Sequence, residues 1–153
     1  MSLTHKCTLV PARYFEEEDA RCILSSLFTL SEDETVSFRA VPRLDAVLVY
    51  AGKDGQEPVL EGMVDRLPAC KEYNKILFHR SDGYADLVIG QGERLLLANS
   101  YPAADFTTAE YYLFLAMKSL QLNPEVSTVT VLSPLSEAEE MSLYRYFKSV
   151  DSL

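Results

Sequence analysis

The sequence predicts an α/β protein with a mixed sheet, made of two units of unequal completeness. Three strand-like segments follow one another in the second half of the chain, and a fourth lies between two helical patterns. This β-β-β-α-β-α order predicts an antiparallel meander followed by a right-handed crossover to a parallel strand. The first half has a shorter, degenerate β-α-β-β-α pattern, so we expect the complete unit in the second half.

The second unit is bounded by clear turn and capping signals. Ser81-Asp82-Gly83 is typical of a tight turn between two strands. Thr107 with Glu110 three residues later is a capping box, which predicts the start of one helix. Ser136 with Glu139 predicts the start of a second helix in the same way. The predicted strands cover residues 76–79, 84–90, 94–100 and 128–132.

The first unit has one amphipathic helix pattern and weaker strand patterns. Apolar residues recur at helical spacing from Ala20 to Phe28. The predicted strands cover residues 7–10, 35–38 and 46–50, and a short helix covers residues 59–67. Gly52 to Cys70 is the expected joint between units, so we predict one lobe at residues 1–70 and a second at residues 71–153.

Composition and charge exclude several function classes. The chain has 153 residues, with 23 acidic and 14 basic side chains, and its formal net charge is −9. Because phosphate backbones repel this charge and basic residues do not cluster, the sequence predicts no nucleic-acid partner. Three cysteines without paired spacing predict neither a disulfide framework nor a zinc site. The lack of a long apolar run predicts no membrane insertion and a cytoplasmic protein.

A resemblance to a known family is carried by residues 8–15, 44–50, 82–88 and 121–124. These stretches are similar to the bacterial family called domain of unknown function 3822. The β-β-β-α-β-α order also resembles the ribonuclease-H-like unit, and two such units in tandem form the actin-like ATPase architecture. The resemblance implies that fold, near the pilus-assembly and type II secretion members of the superfamily. The chain between Tyr50 and Val59 is shorter than the resemblance implies, so the first lobe is expected to be trimmed.

Active actin-like ATPases resemble one another at the first hairpin of each unit, where an Asp and a Gly precede a Thr or Ser. The Asp organises Mg²⁺ and water, while the Gly and the hydroxyl group admit the phosphate. In the most natural register His79, Ser81 and Ala85 stand at those three positions. A register shifted by two residues places Ser81, Gly83 and Leu87 there, and neither register restores the site. The resemblance therefore implies a degenerate site with no catalytic residue, no metal and no cofactor. If a divergent nucleotide site exists, Ser81, Asp82 and Gly83 are its candidates.

A second group of residues has two interpretations. His79, Asp82 and Asp86 are close enough in sequence to meet at one turn, where they would suit a metal or acid–base site. The favoured interpretation is turn chemistry, with Asp82 in the turn and Asp86 facing outward from a strand. His5 and Cys7 offer two further ligand atoms but no third. Neither histidine lies in a motif that predicts a Ser-His-Asp or Cys-His arrangement.

An aromatic run on the predicted helices suggests a protein contact. Tyr111 and Tyr112 are adjacent, so they cannot face the same side of a helix, and one of them is expected near the surface together with Tyr146. We take Tyr112 and Tyr146 as candidate partner contacts, because exposed tyrosines anchor interfaces; the alternative is that they are partly exposed core residues. The sequence thus predicts a non-catalytic protein-interaction or scaffold module with an unknown protein partner or self-association. The alternative is a divergent nucleotide-binding ATPase or kinase-like enzyme.

Overall fold

The computed structural model describes residues 2–152. Its strands are β1 (Ser2–Thr4), β2 (Cys7–Pro11), β3 (Thr35–Val41), β4 (Ala46–Gly52), β5 (Gln56–Pro58), β6 (Asn74–Ser81), β7 (Tyr84–Gln91), β8 (Arg94–Pro102), β9 (Thr128–Val131) and β10 (Ser149–Ser152). Its α-helices are α1 (Ala20–Ser25), α2 (Val59–Val64), α3 (Phe106–Ser119) and α4 (Glu137–Tyr144). Every predicted strand and helix is present, with ends shifted by a few residues, and β1, β5 and β10 are additional.

Eight strands form one mixed sheet in the order β10-β9-β6-β7-β8-β2-β4-β3. β6, β7 and β8 form the predicted antiparallel meander. β9 follows α3 and lies parallel to β6, and β10 follows α4 and lies parallel to β9. The β-β-β-α-β-α order of the second unit is therefore confirmed, and β10 extends it by one strand.

The first unit contributes three antiparallel strands to the same sheet, in the order β2-β4-β3. β2 joins β8 through one register pair, Thr8 with Asn99. The Thr8 hydroxyl also donates a hydrogen bond to Asn99 Oδ1 at 2.7 Å. β1 and β5 form a separate two-stranded parallel pair. The sheet is continuous across residue 70, and the division into lobes 1–70 and 71–153 stays a prediction.

Helices cover both faces of the sheet around β7. Leu87 points into a core that contains Leu113 of α3, and Val88 points into a second core that contains Leu60 of α2. Because side chains alternate along a strand, Asp86 lies on the same face as Val88, and it is fully buried. The expectation that Asp86 faces outward is wrong, because β7 is a central strand with apolar layers on both of its faces.

The helices of the second unit begin at side-chain caps. At α4 the Glu139 amide donates to Ser136 Oγ at 3.2 Å and the Ser136 amide donates to Glu139 Oε1 at 2.9 Å, which confirms that capping box. At α3 the Thr108 amide donates to the Asp105 carboxylate at 2.7 Å. The capping box predicted at Thr107 is therefore wrong, because the Asp105 carboxylate caps the helix two residues earlier.

Two further observations relate to the composition. Within residues 2–152, every helix is too short or too polar to cross a membrane. Cys7, Cys22 and Cys70 are free thiols, and Cys7 is buried in the core that contains Leu60 of α2.

Candidate functional site

A buried carboxylate receives three hydrogen-bonding side chains near the turn of the β6–β7 hairpin. His5 Nδ1 donates to the Asp86 carboxylate, at 2.9 Å from Oδ1 and 3.0 Å from Oδ2. His79 Nδ1 lies 2.8 Å from Oδ2, and the Ser100 hydroxyl donates to Oδ1 at 2.6 Å. We call His5, His79, Asp86 and Ser100 the Asp86 cluster.

The hydrogen bonds determine which nitrogen of each ring carries a proton. An ionised carboxylate only accepts hydrogen bonds, so both His5 and His79 carry a proton on the Nδ1 atom that faces Asp86. In a neutral imidazole this arrangement leaves the lone pair on Nε2, which then accepts hydrogen bonds. Asp86 thus fixes the proton on Nδ1 of each ring and leaves Nε2 of the neutral ring as a hydrogen-bond acceptor.

Sheet register positions three of the four residues. The β6–β7 register places His79 opposite Asp86, and the β7–β8 register places Ser100 opposite Asp86. His5 comes from the connection between β1 and β2, 81 residues away from Asp86 in sequence. Its ring stacks on Tyr84, with 4.8 Å between ring centroids and 1° between ring planes. The fold therefore brings a distant histidine to a carboxylate that the hairpin already holds.

The three candidate nucleotide residues lie at the turn of this hairpin. Asp82 and Gly83 have φ angles of 51° and 78°, as in a type I′ turn, so the predicted tight turn is confirmed. Ser81 is half-buried, and its Oγ atom lies 3.3 Å from His5 Nε2. Asp82 is 80% exposed, with Oδ2 at 3.6 Å from the same nitrogen. Ser81 is thus linked to the Asp86 cluster through His5, while Asp82 faces solvent.

An open cleft of about 500 Å³ lies beside His5, and its lining includes His5, Lys6, Lys53 and Asp82. Lys6 Nζ lies 2.7 Å from a carboxylate oxygen of Glu34. Lys53 Nζ lies 3.4 Å from Asp33 Oδ2. Both lysines of this cleft are therefore already paired with carboxylates of the chain, which reduces the attraction of the cleft for a phosphate group.

Burial and hydrogen bonding oppose each other within the Asp86 cluster. Burial disfavours the charged form of His5, but the hydrogen bond and the negative charge of Asp86 raise its pKa above the ordinary histidine value. Burial also disfavours ionised Asp86, but hydrogen bonds from His5 and His79 hold its pKa below the ordinary value. Burial raises the pKa of the Cys7 thiol to about 12, so this cysteine is unreactive at neutral pH.

The free energy of unfolding is expected to be greatest between about pH 4 and pH 6.5, the ordinary pKa values of Asp and His. Asp86 has a lowered pKa, so its contribution is complete above about pH 4 and is lost as the pH falls through its folded-state pKa. His5 has a raised pKa, so its contribution is complete below about pH 6.5 and is lost as the pH rises through its folded-state pKa. Urea unfolding over a pH series measures both losses of stability. We call the loss at low pH the acid limb and the loss at high pH the alkaline limb.

The His5→Gln variant is the control for the alkaline limb, because glutamine does not titrate. We expect the loss of stability above about pH 6.5 to disappear in this variant while the acid limb remains. If wild type and His5→Gln show the same slope above that pH, the assignment of the alkaline limb to His5 is wrong.

The structure brings together His79 and Asp86, two of the three residues that the sequence grouped, and leaves Asp82 in the turn. His79 and Asp86 form a direct hydrogen bond, so turn chemistry is a correct interpretation for Asp82 but not for Asp86. The Cys7 thiol donates to the Thr4 carbonyl at 3.8 Å. Among residues 2–152, His, Cys, Asp and Glu side chains nowhere assemble in groups of three or more suited to a metal ion.

The aromatic side chains of α3 divide between core and surface. Tyr111 is 60% exposed, whereas Tyr112 is partly buried and stacks on Tyr101 with 4.6 Å between ring centroids. Tyr146 is 50% exposed and lies edge-on against Phe114 at 4.8 Å. Tyr111 is therefore the exposed member of the adjacent pair, in place of Tyr112, and the role of these residues in partner binding stays a prediction.

A comparison with solved structures supports the fold described above. A solved structure from Bacteroides thetaiotaomicron VPI-5482, a protein with an actin-like ATPase fold and unknown function, superposes with a TM-score of 0.82. It is 20% identical to this chain, and the superposition covers 99% of this chain and 66% of that one, so this chain spans less than two thirds of that relative's length. The chain therefore has an actin-like ATPase fold.

The sequence comparisons identify a family. Among curated proteins no sequence matches the chain. Residues 53–150 match the family described as "Protein of unknown function (DUF3822)". The expected place in the pilus-assembly and secretion branch stays a prediction. Because the match extends over more than half of the residues, the chain belongs to the DUF3822 family.

Proposed function

We propose that this chain is a protein-interaction or scaffold module, non-catalytic toward nucleotides, built on an actin-like ATPase fold. The observation that carries the proposal is the hydrogen bonding at the β6–β7 hairpin. His79 stands where the resemblance places the Mg²⁺-organising Asp, and its Nδ1 atom is bound to Asp86. Asp86 itself is fully buried and accepts from three side chains, so it is not free to bind a hydrated metal ion.

The charge around the hairpin supports the same conclusion. The net charge of −9 repels polyphosphates. Lys6 and Lys53, which line the adjacent cleft, are paired with Glu34 and Asp33. These carboxylates offset the positive charge that either ammonium group would offer to a phosphate.

The partner that we propose is a protein or a second copy of the chain, with no role for nucleic acid or membrane insertion. Tyr111 and Tyr146 supply exposed aromatic area on or next to α3 and α4. Aromatic residues of this kind contribute strongly to binding when a partner covers them. Three free cysteines favour a reducing compartment, and we place the module in the cytoplasm.

Mg-ATP at millimolar concentration is expected to leave the midpoint of thermal unfolding unchanged. A ligand at about 100 times its Kd would stabilise the folded chain by about 2.7 kcal/mol. A gain of that size raises the midpoint by several degrees. Thermal unfolding with and without Mg-ATP, together with titration calorimetry, measures the effect. A rise of several degrees that disappears in Ser81→Ala and Asp82→Asn would establish the alternative, a divergent nucleotide-binding protein.

Alanine substitution of Tyr111 or Tyr146 is expected to weaken partner binding or self-association about tenfold or more, because each change removes an exposed aromatic anchor. Sedimentation measures self-association, and affinity capture followed by a binding titration measures any identified partner. Tyr14→Ala is the matched control, since Tyr14 is an exposed tyrosine on the first unit, at 68%. Equal binding by wild type and all three variants contradicts a role for these tyrosines.

A further inference from the structure

We propose that Ser81 is a nucleophile activated by His5 and oriented through Asp86, and that it hydrolyses small, polar carboxylic esters through an acyl-serine intermediate. This inference goes beyond the scaffold proposal and does not depend on it. A chain can lack phosphoryl transfer and still carry a reactive serine. The three residues come from three separate parts of the fold: the β1–β2 connection, the end of β6 and the start of β7.

The connectivity of the hydrogen bonds carries the proposal. Ser81 Oγ lies 3.3 Å from His5 Nε2, and His5 Nδ1 lies 2.9 Å from Asp86 Oδ1. Nucleophile, base and orienting acid are therefore joined in the order that serine hydrolases use on unrelated folds. Since Asp86 fixes the proton on Nδ1, the Nε2 lone pair of His5 accepts the hydrogen bond of the Ser81 hydroxyl group. That lone pair is the base that the reaction requires.

The inner part of the arrangement is rigid. Asp86 is fully buried and is held by His79 and Ser100 in addition to His5. The His5 ring is also buried, and its stacking on Tyr84 fixes the ring plane. Groups positioned in this way avoid the entropic cost of assembly during the reaction.

The outer part of the arrangement is accessible. Ser81 is half-buried and immediately precedes the exposed turn formed by Asp82 and Gly83. Within residues 2–152, the backbone amides of Asp82 and Gly83 donate to no main-chain acceptor. Amides next to a nucleophile are suitable donors to the oxyanion that develops on an attacked carbonyl group. Asp82, which follows Ser81 in the turn, lines the cleft beside His5 together with Lys6 and Lys53, and this mixed-charge lining favours a small polar ester over a long apolar one.

The reaction balances with water as the only co-substrate. Ser81 Oγ attacks the ester carbonyl carbon as its proton passes to His5 Nε2. His5 then gives this proton to the leaving alkoxide, the C–O bond breaks and an alcohol departs. Water attacks the acyl-serine carbonyl and passes a proton to His5, which returns it to Ser81 as the carboxylic acid leaves.

The dependence on pH separates an activated serine from one that only makes a structural hydrogen bond. The titratable groups that face His5 are Asp86, Asp82, Tyr84 and His79. His5 accepts the serine proton only when it is neutral, and Asp86 raises its pKa above the ordinary value. The reactivity of Ser81 is therefore expected to increase with pH on the alkaline side of about 6.5.

The test uses a fluorophosphonate probe and p-nitrophenyl acetate on the full chain, with the modified residue located by tandem mass spectrometry. We expect a covalent adduct on Ser81, no adduct in Ser81→Ala, and a rate at least about 100-fold lower in His5→Gln. Ser26→Ala is the matched control, since Ser26 is exposed and its hydroxyl donates to the Ile23 carbonyl instead of an imidazole. This variant is expected to react like wild type.

Three results would overturn the proposal: no adduct on Ser81, equal labelling of Ser81 and Ser26, or a wild-type labelling rate that does not change with pH. The last measurement needs no variant, so the proposal stays testable if His5→Gln fails to fold. Urea unfolding of each variant identifies such a failure. The Mg-ATP titration is independent of these readouts, so the scaffold proposal and the serine proposal can fail separately.

Discussion

Replacing Asp86 with alanine is expected to lower the free energy of unfolding by about 3–5 kcal/mol, the usual cost of removing one partner from a buried charged pair. Asp86 is fully buried, and its two oxygens accept from His5, His79 and Ser100. Alanine leaves these three donors facing a cavity without their carboxylate acceptor. Urea unfolding at pH 6, inside the expected stability maximum, measures the loss.

Two asparagine variants separate charge from shape. Asp86→Asn keeps the side-chain volume but replaces one acceptor oxygen with a donor, so it is expected to be clearly destabilising. Asp82→Asn makes the same chemical change in the same hairpin, at a side chain that is 80% exposed. Asparagine also tolerates the positive φ of that turn, so this variant is expected to unfold like wild type. Equal stability of the two variants would show that the Asp86 hydrogen bonds contribute little.

Replacing Leu113 with alanine is expected to lower the free energy of unfolding by about 3–5 kcal/mol. Leu113 lies in the middle of α3, is fully buried, and packs in the core on the α3–α4 face of the sheet. The substitution removes apolar contacts and leaves a cavity, because close-packed neighbours relax only in part. Chemical denaturation with a fluorescence or circular dichroism readout measures the change.

Leu115 provides the matched control on the same helix. It is 46% exposed, so Leu115→Ala removes the same atoms without leaving an enclosed cavity. Alanine also has the better helix propensity, which offsets the small loss of apolar contact. We expect this variant to stay close to wild type. A loss at Leu115 as large as the loss at Leu113 would mean that a partner or a second copy covers α3 in solution.

The hairpin geometry of the second unit could be predicted because its signals are local. Asp82-Gly83 tolerates the positive φ angles of a type I′ turn, and this turn fixes the β6–β7 register. That register alone places His79 opposite Asp86, so their contact could be predicted from the sequence. The five consecutive residues from Ala85 to Ile89 are apolar except for Asp86, a pattern typical of a strand covered on both faces. This signal pointed to a buried Asp86.

The rest of the site depends on tertiary contacts that have no local signal. His5 lies in a polar segment, and nothing near it in sequence indicates a carboxylate 81 residues away. The start of α3 shows that local signals can also conflict. Both Asp105 and Thr107 are suitable capping residues, and in the structure the Asp105 carboxylate caps the helix. Tyr111 and Tyr112 show a similar limit. Helical spacing requires one of them to be exposed, but only the position of Tyr101 decides which.

The narrow join between β2 and β8 has a consequence for the order of folding. Thr8 and Asn99 are 91 residues apart, and His5 and Asp86 are 81 residues apart, so this join consists of contacts of very long sequence separation. Closing such a loop costs chain entropy before any contact compensates for it. The β6–β7–β8 meander needs only short loops, so we expect it to form first and to serve as the template on which the N-terminal strands assemble. Ser81, His5 and Asp86 would then meet only in the last stage of folding. Their hydrogen bonds would therefore be present only in chains whose native sheet is complete.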